Sequence, residues 1–417
     1  MDLEKAKETF CKKFSDKTKN EFADRKQFKK VAGKYDLVLL DYSKTDKAED
    51  EVDAAAPTTK KQKTTPPSKL SAKLQALIEL ICSVKEMEEA VLEMKYDAKK
   101  APLGKLNKDQ IKNGYKALQK IEQCIGGAKS RDELIKACDA FYTRIPHCFG
   151  MQRLPIISTK QEIKAKIELL EILGDIEIAM KVMAEDTKVD VHPIDQHYLA
   201  LGCEMKPLDP ASAEFALVNK YTQNTHASTH NQYKMEVMNV FEVNDPRQEQ
   251  QYNSSIGNKM LLWHGSRLTN FVGILSQGLR VAPPEAPVTG YMFGKGIYFA
   301  DISSKSANYC YPTRSRNVGF ALLCEVALGK FNDVLAADYE ADKLTDGCNS
   351  TRGLGKVAPD VAGYETLEDG VVVPCGLPVD TGVENPDGYT LNYNEYVVYD
   401  AKQVKTRYLV QLKFNFK

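Results

Sequence analysis

Between Leu70 and Met183 the apolar residues recur every three to four positions. Leu74, Leu77, Ile78, Ile81, Val84, Val91 and Met94 fall on one helical face. Asn107 followed by Gln110 has the form of a capping box ahead of Ile111, Tyr115, Leu118 and Ile121. A third stretch carries Ile163, Ile167, Leu170, Ile176 and Ile178. The spacing predicts an all-helical domain over residues 67–184 with short loops. After His192 the texture changes, and short apolar runs alternate with clusters of Gly, Pro and Asn. The runs are Met260–His264, Ile297–Ala300, Val318–Leu328, Glu395–Tyr399 and Val404–Phe416. In the last of them Tyr408, Val410, Leu412, Phe414 and Phe416 repeat at period two, as in a half-buried strand. A β-rich α+β domain over 192–417 follows, within the usual size of a single domain.

The first forty residues read differently. Lys12, Lys13, Lys17, Lys19, Lys26, Lys29, Lys30 and Lys34 interleave with Phe10, Phe14, Phe22 and Phe28. The segment 46–66 opens with an acidic patch, Asp46 to Asp53, and continues as AAAPTTKKQKTTPP, with little that fills a core. It reads as a linker. Its cluster Lys60-Lys61-Gln62-Lys63 is either a nuclear address, a phosphate contact or a solvated charge run.

Over 417 residues, 57 Lys+Arg balance 57 Asp+Glu, and 43% of residues are hydrophobic, which excludes disordered, collagen-like and disulfide-scaffold classes. The polar start MDLEKAKETF and the lack of a long apolar run point away from export or a membrane span. The 10 cysteines are scattered without a C-x-x-C pair, so free and mostly buried thiols are expected. Zero net charge hides local bias and leaves a nucleic-acid partner open.

Several chemistries drop out. Gly353-Leu354-Gly355 and Gly294-Lys295-Gly296 lack the third glycine of a dinucleotide fingerprint, and there is no P-loop. His226 and His230 have the spacing of helical zinc ligands, but Ala227 stands where a general-base Glu belongs, so a structural pair is expected and no metal. Three segments remain. LLWHGSRLTN offers an imidazole, a bare backbone and a hydroxyl at a strand end, through His264, Gly265 and Ser266. GYMFGKGIYFADISSKSANYC sets Tyr291, Phe293, Tyr298, Phe299 and Tyr309 among glycines, which suits stacking on a flat heterocycle, although composition alone favours a packed core strand. In it Lys305 and Ser306 add a charge and a hydroxyl. DGYTLNYNEYVVY begins an apolar strand at Glu395, whose carboxylate is placed at a cleft rim or simply in solvent.

These segments, in this order, resemble the catalytic domain of the poly(ADP-ribose) polymerases. The resemblance extends through APLGKL, FYTRIPH and GDIEIA, similar to that family's helical regulatory domain. Residues 1–45 are similar to the C-terminal half of its DNA-sensing WGR domain. It implies an α+β chain in which an all-helical regulatory domain precedes a β-rich ADP-ribosyltransferase domain. NAD is implied as a consumed substrate, with ADP-ribose passed to acidic or serine side chains and then to a growing polymer. Chromatin proteins and the chain itself are the implied acceptors, the nucleus the implied location, DNA strand breaks the implied activator, and no membrane is involved. Trp263 is the single tryptophan, so the Trp-Gly-Arg core of the WGR module is missing, and Phe22 stands where relatives usually carry Trp. Half of such a module has too little core to fold alone, which weakens the expectation of direct DNA binding.

By the resemblance His264, Tyr298 and Glu395 form the family's His-Tyr-Glu triad. His264 would bond the adenosine ribose, while Tyr298 and Tyr309 flank the nicotinamide and Gly265 and Ser306 hold its carboxamide. Ser266, Asn270, Gly273 and Arg280 would line the adenosine and phosphate side, with Tyr291 also in the NAD site. Glu395 would bind the nicotinamide ribose and orient the attacking group, and Lys305 and Met292 would touch elongation. Two other readings stay open on the residues alone: a DNA- or chromatin-binding scaffold with vestigial catalysis, and a transferase that adds single units.

Overall fold

The computed structural model describes residues 2–38, 66–127, 130–184, 190–388 and 390–417. The acidic patch and the Lys60–Lys63 cluster of the linker therefore lie outside the described residues. At the N-terminus, helix α1 (Leu3–Thr18) gathers the interleaved phenylalanines into a small cluster. The Phe22 ring meets those of Phe10 and Phe14 edge-on at 4.9 and 5.3 Å, and Phe28 joins Phe14 at 6.3 Å. The lysines of α1 stay on the exposed side.

Five helices follow: α2 (Ala72–Ile81), α3 (Val84–Glu93), α4 (Lys108–Gly126), α5 (Arg131–Arg144) and α6 (Lys160–Met183). Each starts at a side chain that accepts from an orphan backbone N–H: Ser71, Ser83, Asn107, Ser130 and Thr159. Ser130 with Glu133, and Thr159 with Glu162, form reciprocal capping boxes. The cap at Ser83 corrects one expectation. Leu74 to Met94 is not one continuous face, because the chain restarts at Ser83, and Val84 becomes an exposed first-turn residue. Helix α6 is buried nearly all round, with Ile163, Ile167, Leu170, Leu173 and Ile176 inside. It packs against α4 on one side and the following domain on the other.

Helix α7 (Pro193–Leu201) is tied back to the start of the helical region, where Asp195 accepts from the Ser68 hydroxyl and, at 2.8 Å, from the Lys69 amide. Strand β1 (Glu204–Pro207), helix α8 (Ala213–Asn224) and strand β2 (Tyr233–Asn244) come next, then α9 (Pro246–Gln251) and β3 (Lys259–Gly265). Helix α10 (Phe271–Gln277), β4 (Ile297–Phe299), α11 (Ser303–Ala307), β5 (Val318–Ala327) and β6 (Phe331–Val334) continue the chain. The short strands β7 (Ser350–Gly353), β8 (Val357–Pro359), β9 (Glu365–Thr366), β10 (Val372–Val373) and β11 (Pro378–Asp380) lead to β12 (Glu395–Val398) and β13 (Val404–Phe416).

A seven-stranded sheet runs β1-β2-β13-β5-β3-β10-β9, and a four-stranded sheet runs β4-β12-β7-β6. The expected alternation in β13 is present, with Tyr408, Val410, Leu412 and Phe414 buried against α8 and Trp263. The two sheets touch where Trp263 and Ala300 exchange backbone hydrogen bonds of 2.9 and 3.0 Å. The cleft described next lies beside that junction, lined by His264 and Gly265 of one sheet and by Tyr298 and Glu395 of the other. One apolar cluster runs unbroken from Leu74 and Ile78 through α6 to Leu262, Phe271 and Phe320, so the helical region and the β-rich region share a core.

Candidate active site

The cleft has a volume of about 750 Å³, and its walls bring together His264, Gly265, Ser266, Asn270, Arg280, Tyr291, Met292, Tyr298, Lys305, Ser306, Tyr309 and Glu395. Gly273 is the exception. It sits in α10 behind the wall, where a Cβ would lie 2.9 Å from Asp175 Oδ1.

His264 is the penultimate residue of β3, with Nδ1 2.8 Å from the Tyr298 carbonyl oxygen. A carbonyl only accepts, so Nδ1 carries the proton and Nε2 is left as an acceptor. Burial holds the imidazole below its ordinary range, which keeps it neutral at pH 7. The Tyr298 hydroxyl donates to the Gly294 carbonyl at 2.6 Å and accepts from the Phe293 amide at 3.0 Å. Those bonds fix the ring and leave its face for stacking. Burial, and secondarily the nearby Glu395, pushes the phenols of Tyr298 and Tyr309 upward, so both stay neutral.

Ser306 donates to the Trp263 carbonyl at 2.9 Å, leaving its oxygen free to accept. Its own carbonyl lies against Gly265, where a Cβ would fall 1.8 Å from that oxygen. Only glycine fits here. Gly265→Ala is expected to force β3 and α11 apart, lowering stability by about 1–3 kcal/mol. It is also expected to weaken nicotinamide binding at least tenfold; thermal melts with and without nicotinamide test both.

Lys305 spends its ammonium on the strand that carries Glu395. It donates to the carbonyls of Tyr393 and Asn394 at 3.1 and 2.9 Å and pairs with Glu395 Oε2 at 3.4 Å. Glu395 opens β12 between β4 and β7, with Tyr396 opposite Phe299 and Glu395 opposite Gly353. On the far wall Asn270 donates to the Ser266 hydroxyl at 2.9 Å. Met292 lines the cleft, and its carbonyl accepts from the Asp338 amide at 3.0 Å. Elsewhere the His226–His230 pair is tied into the framework: His226 Nε2 is 2.9 Å from the His230 carbonyl, and His230 Nδ1 is 2.8 Å from Ser304 Oγ.

The helical region supplies the rest of the wall. Asp175 of α6 pairs closely with Arg280, and Glu171 accepts from the Tyr291 hydroxyl at 2.7 Å. Glu122 accepts from Thr289, Glu168 from Tyr311 at 3.2 Å, and Ile167 packs against Gly290. Burial pushes the Glu171 carboxyl up to about 7, and it pushes Asp175 up to about 6 although Arg280 pulls the other way. Neither acid was singled out by the sequence reading. The signal available was the run LLEILGD, which sets Glu171 and Asp175 among the buried apolar residues of α6.

The poly(ADP-ribose) polymerase catalytic-domain family matches residues 212–414, and the poly(ADP-ribose) polymerase regulatory-domain family matches residues 68–198. The second match reaches into α7. The chain belongs to the poly(ADP-ribose) polymerase family of NAD+ ADP-ribosyltransferases, whose catalytic domain uses NAD as its substrate. It is similar to poly(ADP-ribose) polymerase 2 of Homo sapiens, 53% identical over 414 residues, which is 99% of this chain and 70% of the relative. It is likewise similar to poly(ADP-ribose) polymerase 2 of Arabidopsis thaliana, 46% identical over 99% of this chain and 65% of the relative. With poly(ADP-ribose) polymerase 1 of Gallus gallus the identity is 42%, over 99% of this chain and 40% of the relative. No helix among the described residues is long and apolar enough to cross a membrane.

Proposed function

We propose that this cleft cleaves the nicotinamide–ribose bond of NAD and passes ADP-ribose to protein side chains and then to the growing polymer, in response to DNA strand breaks in the nucleus. The observation that carries the reading is the convergence of His264, Tyr298 and Glu395 on one cleft whose other wall is a pair of acids from α6. The nicotinamide ring lies between Tyr298 and Tyr309. The Gly265 backbone presents a donor and an acceptor to the carboxamide, and the Ser306 hydroxyl accepts from its N–H. Neutral His264 accepts from a hydroxyl of the adenosine ribose through Nε2. Arg280 meets the negative charge of the adenosine and phosphate side.

Nicotinamide leaves as a neutral ring from a cationic one, so the ribose carbon gains oxocarbenium character as the bond lengthens. The Glu395 carboxylate bonds the ribose hydroxyl and stabilises that charge, then orients the acceptor hydroxyl for attack. Met292 and Lys305 flank the place where the acceptor enters, and chromatin proteins and the chain itself are the proposed acceptors. Stacking and carboxamide bonds hold the leaving ring still while the ribose carbon moves. None of these steps calls for a metal.

In this arrangement α6 competes with substrate, because Asp175 takes the guanidinium of Arg280 and Glu171 takes Tyr291. Release of α6 opens the site. The reading is tested by incorporation of labelled NAD with and without nicked duplex DNA. A ladder that lengthens with DNA supports it. Absence of label under every condition leaves only the scaffold reading.

The raised carboxyls give this gate a pH dependence. Protons bind Glu171 and Asp175 more tightly in the closed state than after release, when both return to ordinary values near 4. Acid therefore favours closure, and opening gains as pH rises from about 4, levelling off above about 6 to 7. Affinity for a non-hydrolysable NAD analogue, measured without DNA, is expected to rise about tenfold from pH 5.5 to 7.5. Glu171→Gln, which cannot ionise, is expected to flatten that rise; an identical profile in the variant would count against the gate.

A further inference from the structure

Alternation along a strand puts Asn394 and Tyr396 on the face opposite to Glu395. Both turn to a single atom. The Asn394 amide and the Tyr396 hydroxyl each donate to Asp301 Oδ2 at 3.0 Å. Asp301 follows β4 and is fully buried, and that burial pushes its carboxyl upward. Its second oxygen, Oδ1, is buried without a hydrogen-bond partner among the described residues. A carboxylate in that setting costs stability, since a buried polar atom left unpaired loses its hydration without replacement. Packing alone does not account for an acid here.

The surroundings show what the acid holds. The Asn394 side-chain oxygen accepts from the Gly355 amide at 2.9 Å. Gly355 approaches so closely that a Cβ would lie 2.3 Å from the Tyr393 carbonyl carbon. Lys305 grips the carbonyls of Tyr393 and Asn394 from the cleft side. Asn394 is thus held from both faces and Tyr396 from behind, while the Glu395 carboxylate between them meets only Lys305 among the described residues.

We propose that Asp301 is a positioning residue of this active site, which holds Asn394 and Tyr396 from behind the strand and thereby sets the Glu395 carboxylate at the ribose. The proposal rests on the reading of Glu395 given above. It makes the acid behind the strand part of the machinery, although it touches neither substrate nor reacting atom. Displacement of Glu395 by an ångström leaves the nicotinamide and adenosine contacts as they are, so NAD binds but reacts slowly.

Asp301→Asn keeps shape and one acceptor oxygen while removing charge, and Tyr396→Phe removes only the hydroxyl that donates to Asp301 and accepts from the Asn394 amide at 3.5 Å. Asp301→Asn is expected to lower kcat about 10- to 100-fold with KM for NAD unchanged within about twofold, as a small misplacement of a reacting group does. Tyr396→Phe is expected to lower kcat several-fold with the same KM, and it carries the test if Asp301→Asn does not fold. A residue that acts through Glu395 has nothing left to do once Glu395 is gone. In a Glu395→Gln background, Asp301→Asn is therefore expected to cost less than about twofold in residual NAD cleavage. Losses that multiply instead would show general damage and overturn the proposal. Wild-type kcat in both Asp301→Asn and Tyr396→Phe, beside an inactive Glu395→Gln, would overturn the proposal alone. Full turnover by Glu395→Gln by itself would remove the reading beneath it as well.

Discussion

Glu395→Gln is expected to abolish the polymer ladder and to lower NAD turnover about 100- to 10,000-fold, the range for losing a group that acts on charge and proton together. Glutamine keeps the size and one acceptor oxygen of glutamate but not the charge that faces the developing oxocarbenium ion. It also leaves the Lys305 ammonium, 3.4 Å from Glu395 Oε2, without its counter-charge on that side. NAD affinity is expected to change only a few-fold. Of the groups assigned to nicotinamide and adenosine, His264, Tyr298 and Ser306 take their own hydrogen bonds from residues other than Glu395. The separation of turnover from affinity is what marks a transition-state role. Labelled-NAD gels beside nicotinamide inhibition constants measure the two. Long polymer from the variant would remove Glu395 from the chemistry.

The cleft was legible through three local segments taken together in order, and through their resemblance to the family, because each segment alone also fits a packed strand or a solvated acid. A strand ending in His-Gly-Ser, a glycine-spaced aromatic run and an acid at the head of an apolar strand each carry a type of chemistry in a few adjacent residues. Periodicity also placed β13 and the buried face of α4 correctly, since one period decides which side chains share a face. What stayed hidden depends on packing between distant segments. Asp301 takes meaning only from Asn394 and Tyr396, more than ninety positions away. Gly273 looked like a ligand-side residue, yet the space beside it belongs to Asp175 of the other domain. The break at Ser83 was missed because a heptad-like run reads through it, while the cap that restarts the helix is one hydroxyl.

The acids of α6 carry the second large effect. Asp175→Ala is expected to raise activity without DNA at least tenfold in kcat/KM, chiefly through a lower KM for NAD, where tenfold corresponds to about 1.4 kcal/mol. The substitution removes the partner that holds Arg280 and clears the space against Gly273, so the guanidinium is free for the phosphate side of NAD. Its cost to the fold is small. A buried carboxylate pushed up to about 6 is paying a desolvation penalty that its ion pair only partly offsets. Thermal stability is expected to stay within a few degrees of wild type, and the stimulation by nicked DNA to shrink as the basal rate rises. Arg280→Ala separates gate from substrate site. It breaks the same ion pair and so loosens α6, but it also removes the cation proposed for the phosphate side of NAD, and its basal activity is expected to fall. If both variants gained activity equally, Arg280 would serve only the gate; if neither moved it, α6 would not guard the cleft.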